Sequence, residues 1–223
     1  MDTYQELYNQ TLEILVSDTP TEFWDDLSSI GKNIYADAYA EVKNDSSVIL
    51  EQKIDYLLQR RHFRMEKLLV DLAVRYNLSH SMSLISQNNR RHALVYNGDV
   101  SMTQSYVQAI GDLPQPAKYR EKLANAMTLP RLDLGDEPKN TFIMRELYGL
   151  IAHNPVGRRF QEDHQKLGMI QFCLPSKDCK KWAMELSIPE IISAYPAKTK
   201  LIIPTRSLPW KSSKDKKDKG ESK

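Results

Sequence analysis

The side chains of this sequence that can do chemistry are few and lie far apart. Cys173 and Cys179 are its two cysteines, too few for a disulfide framework and without the partner pair of a zinc knuckle. Cys173 sits in an apolar stretch and reads as core. Cys179 has Lys177, Lys180 and Lys181 nearby, which lower a thiol's pKa, but no identifiable histidine partner. Both are expected to be reduced, apart and free of metal. Glu137-Pro138-Lys139 has the acid-x-lysine spacing of metal-dependent nucleases, in which the acid holds Mg²⁺ and the lysine aids the attacking water. That chemistry needs the pair on a strand, and Pro138 in a Gly/Asp loop argues against one. Glu162, Asp163 and His164 are consecutive on an expected helix, so they diverge and suit solvent better than a shared metal. His153, beside Pro155, reads as a helix-end histidine. There is no glycine-rich phosphate loop. No catalytic residue, metal or cofactor is expected.

Another stretch has the chemistry of nucleic-acid recognition. Asp71 to Ile85 resembles a helix-turn-helix, with Ala73 allowing a close helix crossing and Asn77 accepting the left-handed turn. Ser79 then caps a second helix whose early residues His80, Ser81 and Ser83 reach base edges in a major groove. Gln87 extends the base-reading set, while Arg90 and Arg91 hold phosphates. Arg60, Arg61, Arg64, Lys67 and Arg75 lie just upstream. Residues 58–92 hold seven Lys/Arg against two acids, a net charge of +5. Residues 93–102 read as a β-hairpin around Asn97-Gly98, where a winged protein places its wing. The competing reading of that stretch is a loop and a helix capped at Ser101.

These residues must be positioned by helices for the most part, and the expected fold class is mainly α: a helical bundle with a helix-turn-helix, a short hairpin and a few short strands toward the C-terminus. Tyr4, Leu7, Tyr8, Thr11, Ile14 and Leu15 recur at helical spacing over 2–16. Thr19, Pro20 and Glu22 form a capping-box signal for a second helix with stripe Phe23, Leu27, Ile30, Ile34 and Ala38. Leu50 to Leu72 reads as one long helix or two stacked ones. A helix is expected from about Ala117 to Met127, then a linker over 129–140, then helices at Phe142–Ala152 and Val156–Leu167. Met169–Leu174 and Leu201–Ile203 are strand candidates, and Ser176 caps a short helix through Trp182 and Leu186. The expected regions are 1–57 (acidic, helical), 58–128 (basic, winged helix-turn-helix), 129–140 (linker), 141–210 (small α+β) and 211–223. That last segment has six lysines, three acids and no apolar side chain, and is expected to be disordered.

Charge separates along the chain. Residues 1–57 carry twelve acids against three lysines, −9, so the remainder is +11 within a total of +2. Such asymmetry suits a nucleic-acid surface or two complementary surfaces on one protein. Tyr4, Tyr8, Trp24, Tyr35 and Tyr39 fall on the acidic helices and suit core or a protein interface. Trp210 is either a docking anchor or a pin for the end of the fold. No apolar run approaches a membrane span, and no secretory signal opens the chain, so a reducing cytoplasm is the expected compartment. The leading expectation is a non-enzymatic protein that binds double-stranded DNA through residues 58–102. The alternative is an adaptor subunit of a larger assembly, docking a basic protein partner or itself through its acidic helices.

Overall fold

The computed structural model of the protein describes residues 3–85, 90–126 and 147–196. Helix α1 (Thr3–Asp18) and helix α2 (Thr21–Asn44) follow the expected apolar spacing, and Leu15, Phe23, Trp24, Leu27, Tyr35, Ala38 and Val42 are buried. The junction between them differs from a capping box. Pro20 takes the N-cap position with no side-chain cap bond, and the Thr19 hydroxyl is buried without a partner. The end of α1 is held from far along the chain, by the Tyr195 hydroxyl donating to the carbonyls of Leu15 and Thr19. A short 3₁₀ turn (Leu50–Gln52) leads into α3 (Lys53–Arg75), which is one continuous helix.

Beyond α3 the expected helical bundle is replaced by a six-stranded mixed sheet, so the fold is α/β rather than mainly α. The strands are β1 (Ser79–Ile85), β2 (Arg90–Asn97), β3 (Val100–Tyr106), β4 (Leu147–Pro155), β5 (Leu167–Pro175) and β6 (Trp182–Ser187), and they lie in sequence order. β3 and β4 are parallel, and every other neighbouring pair is antiparallel. Helix α4 (Lys118–Ala126) belongs to the connection between β3 and β4. Helix α5 (Ile188–Ser193) follows β6 through a capping box of Ser187 and Glu190.

Strand alternation sorts side chains to two faces. Gln104, His153 and Phe172 meet α3 and α2, through His62, Tyr35 and Trp24. His92 and Ser105 face the other way, toward Tyr119 and Arg120 of α4. β4 lies centrally and is buried at all nine positions. Such a strand reads as a continuous apolar run, which periodicity cannot tell from a buried helix, and this explains the helix expected at Phe142–Ala152.

The segment 156–166 is a loop closed by Val156 N–H on Lys166 O (3.0 Å) and Gly157 N–H on His164 O (2.8 Å). The helix expected after Ser176 is a turn, with Cys179 at φ 52, followed by β6. The hairpin over 93–102 is present, and Ser101 lies in β3 rather than capping a helix. Asn97 pairs with Val100, so Gly98 and Asp99 form the turn, with Gly98 at φ 51. Asn77 does adopt the left-handed conformation, φ 56. Among the described residues no helix is long and apolar enough to cross a membrane. Gln87, the 129–140 linker, Glu137, Lys139, Leu201–Ile203, Trp210 and the 211–223 tail lie outside the described residues.

Candidate functional site

The stretch expected to be a recognition helix is strand β1. Ser79, Ser81 and Ser83 alternate with His80 and Met82, a period of two that outweighs the helix-turn-helix pattern. His80, Ser81 and Ser83 therefore lie on an edge strand, not on a helix that enters a groove. Arg90 opens β2, and Arg91 beside it is exposed. The arginines of α3 point elsewhere. Arg60 (3.4 Å) and Arg64 both meet Glu41 of α2, and Arg75 meets Asp26 of α2 at 2.5 Å. Hydrogen bonds from Tyr76 and Arg75 hold the Asp26 carboxyl below its ordinary range. Three of the basic residues expected to bind phosphate thus meet acids of the same chain, as complementary surfaces on one protein do. Arg61 is buried.

The chemistry of the fold gathers where the sheet divides. β1 and β2 stay paired as far as Ile85 with Arg90, and β3 and β4 as far as Tyr106 with His153. β2 and β3, in contrast, pair only from Asn97 with Val100 to Val95 with Met102. In the resulting fork, Glu66 of α3 accepts the Ala93 N–H at 3.3 Å. A chain of hydrogen bonds runs from Tyr35 to His62, which lies beside this carboxylate, and its direction follows from the two ends of the Gln104 amide. The Gln104 NH₂ donates to His62 Nδ1 (3.0 Å), so His62 Nε2 carries hydrogen and lies 3.9 Å from Glu66. The Gln104 carbonyl accepts from His153 Nε2 (2.8 Å), so His153 Nδ1 accepts the Tyr35 hydroxyl (2.6 Å). Burial first, then repulsion from His62 when that ring is protonated and from Arg61, push the His153 pKa down to about 3, leaving the His153 ring neutral. Burial raises the Glu66 pKa against the bonds from Ala93 and Gln104. His153 is thus a strand-core histidine rather than a helix-end one.

On the other face of the fork, His92 stacks on Tyr119 with centroids 3.9 Å apart, and its Nδ1 is buried without a partner among the described residues. Beside them Arg120 donates to the hydroxyls of Ser105 (3.1 Å) and Tyr119 (3.3 Å) and to the Gln115 carbonyl. It forms no ion pair among the described residues. Its side chain lines a cavity of about 430 Å³ walled by Tyr148, Leu150, Trp182 and the 113–117 segment. Glu121, Asp178 and Lys180 also border it. Asp178 is turned back onto Ser176 (2.7 Å) and the Lys180 N–H (3.1 Å). Cys179 lies on the rim, and burial raises its pKa against the opposing effect of Arg120.

No group of three metal-ligating side chains occurs among the described residues. Glu162 and Asp163 are exposed on the 156–166 loop instead of on a helix. Sequence reasoning missed Glu66, Gln104, Arg120 and Trp182. Glu66 carried a usable signal, an acid set among the apolar positions Met65, Leu69 and Ala73 of α3. Arg120, on a short polar helix, carried none. No family model, curated protein or solved structure matches the chain.

Proposed function

We propose that this protein is a ligand-binding module that takes a small organic anion with a flat apolar body into the cavity between α4 and strands β4 to β6. The observation that carries this reading is Arg120, an oriented guanidinium without a carboxylate partner among the described residues, facing a cavity of about 430 Å³. That volume lies in the usual range for small-molecule pockets. Neutral acceptors fix the guanidinium but leave its charge for a ligand carboxylate or phosphate. Tyr148, Leu150 and Trp182 supply surface for a planar ring. Glu121 favours a ligand with a hydrogen-bond donor beside its anionic group. Trp182 doubles as reporter, since its indole N–H already bonds the Asp112 carbonyl (3.2 Å) at the cavity wall.

Tryptophan fluorescence titrations with an aromatic amino acid, a nucleoside monophosphate and a short single-stranded oligonucleotide test this reading. At least one small probe should bind, and Arg120→Gln should weaken it by about tenfold or more, the loss expected for a charge-assisted contact. Binding of the oligonucleotide alone, or equal affinity in the variant, overturns it.

A further inference from the structure

We propose a second, separate site: a pocket at the carboxyl ends of β3 and β4 that holds one tetrahedral oxyanion, phosphate or a phosphate monoester, between Arg158 and the Tyr106 hydroxyl and beside Gln165, which the buried Arg61 holds.

Arg61 is a buried cation, and burial lowers its pKa. It is 1% exposed and forms no ion pair among the described residues. Its guanidinium donates to the Gln165 side-chain carbonyl (2.7 Å), the Gln165 backbone carbonyl and the Tyr35 carbonyl (3.4 Å), all neutral. Its Nε is buried with no acceptor, and the group lies over the Tyr35 ring at 4.1 Å. Buried charges are ordinarily paired, because desolvation of an isolated one is severe. Here no acid among the described residues pairs with the charge.

The adjoining pocket has about 200 Å³; Tyr106, Gln108, Arg158 and Gln165 line it together with the apolar Ile54, Leu58 and Pro155, and no acid is among its described lining residues. Arg158 donates to the neutral Gln108 side-chain carbonyl at 3.2 Å and forms no ion pair among the described residues. The Tyr106 hydroxyl lies in the field of both guanidiniums, which oppose the rise that burial causes in its pKa. Gln165 links the parts: it accepts from Arg61 and donates its amide to the carbonyls of Gly157 (3.2 Å) and Arg159 (2.6 Å). Arg61 therefore positions the loop that presents Arg158. The pocket lies past the last residues of β3 and β4, the parallel pair, where open α/β sheets tend to receive ligands. The competing explanation is that Arg61 merely ties this loop to α3.

Thermal unfolding of the full chain, at constant ionic strength set with chloride, separates the two. About 10 mM inorganic phosphate should raise the Tm of the wild type, by linkage to the folded state. Arg158→Ala should abolish that rise while leaving the phosphate-free Tm within error, because Arg158 is an exposed loop residue. Arg120→Gln should keep it, so the two sites fail independently. Phenyl phosphate stabilising more than inorganic phosphate assigns the site to a monoester, and the reverse assigns it to the free ion. A rise of equal size in Arg158→Ala, or none in the wild type, overturns the proposal and leaves Arg61 as a loop tether.

Discussion

Burying a neutral imidazole beside a guanidinium sets the direction of the acid response at His153. Its folded pKa is about 3 against an ordinary 6.5. The unfolded chain therefore takes up this proton first, and the associated stability is complete above pH 6.5 and drains as pH falls toward 3. The slope is about 1.4 kcal/mol per pH unit while one proton separates the states. Burial lowers the His92 pKa as well, adding in the same direction, whereas Glu66, raised by burial, favours the fold at low pH and moderates the loss. Urea midpoints measured from pH 7 to 4.5 should fall in the wild type. His153→Gln should flatten the curve by roughly one proton; an unchanged slope would remove His153 as its source. None of this was legible in the sequence, where a histidine beside Pro155 gives no sign of which strands will enclose it. Asn77 was legible, because asparagine is one of the few residues other than glycine that enter the left-handed conformation readily.

At the scale of elements, the helices through α3 followed from apolar spacing and β5 from its β-branched and aromatic run, while β1 and β4 were misread for different reasons. β1 is an edge strand in which Ser79 reads as a helix cap, and β4 is so fully enclosed that it has no polar face to alternate with. Its Gly149 shows how tight that enclosure is. A Cβ there would overlap the Phe172 ring, which stands edge-on to Trp24 at 6.0 Å and cannot retreat. Gly149→Ala should cost about 2–3 kcal/mol by overpacking. In a double-mutant cycle, Phe172→Leu should recover part of that loss. Strict additivity of the two changes would mean that they do not share the space.

For the whole molecule, the charge split between residues 1–57 and the rest was legible, but not its geometry. Which acids lie beside which bases depends on α2 and α3 packing along each other, an arrangement set by their apolar faces. Glu41 and Asp26 thereby occupy Arg60, Arg64 and Arg75. Glu41→Gln with Asp26→Asn should leave the fold nearly as stable, since exposed pairs contribute about 0–1 kcal/mol each. Freeing the arginines should raise duplex-DNA affinity at low salt and steepen its dependence on log salt, by about one unit for each phosphate that a released arginine neutralises. A wild type that already binds duplex DNA with a slope of several units would show that internal pairing does not limit the encounter.

The hydroxyl of Tyr195 that closes the end of α1 also accepts the Trp24 indole N–H at 3.0 Å, across 171 residues. During synthesis, at roughly 5–20 residues per second, that partner leaves the ribosome some ten to thirty seconds after Trp24 does. Phe172, the other aromatic against Trp24, is similarly late. For that interval the first two helices present an unfinished apolar face to solvent or to a holdase. Nascent chains stalled before residue 172 should therefore be cut readily within α1 and α2 by added protease, and chains stalled well past residue 195 should resist it.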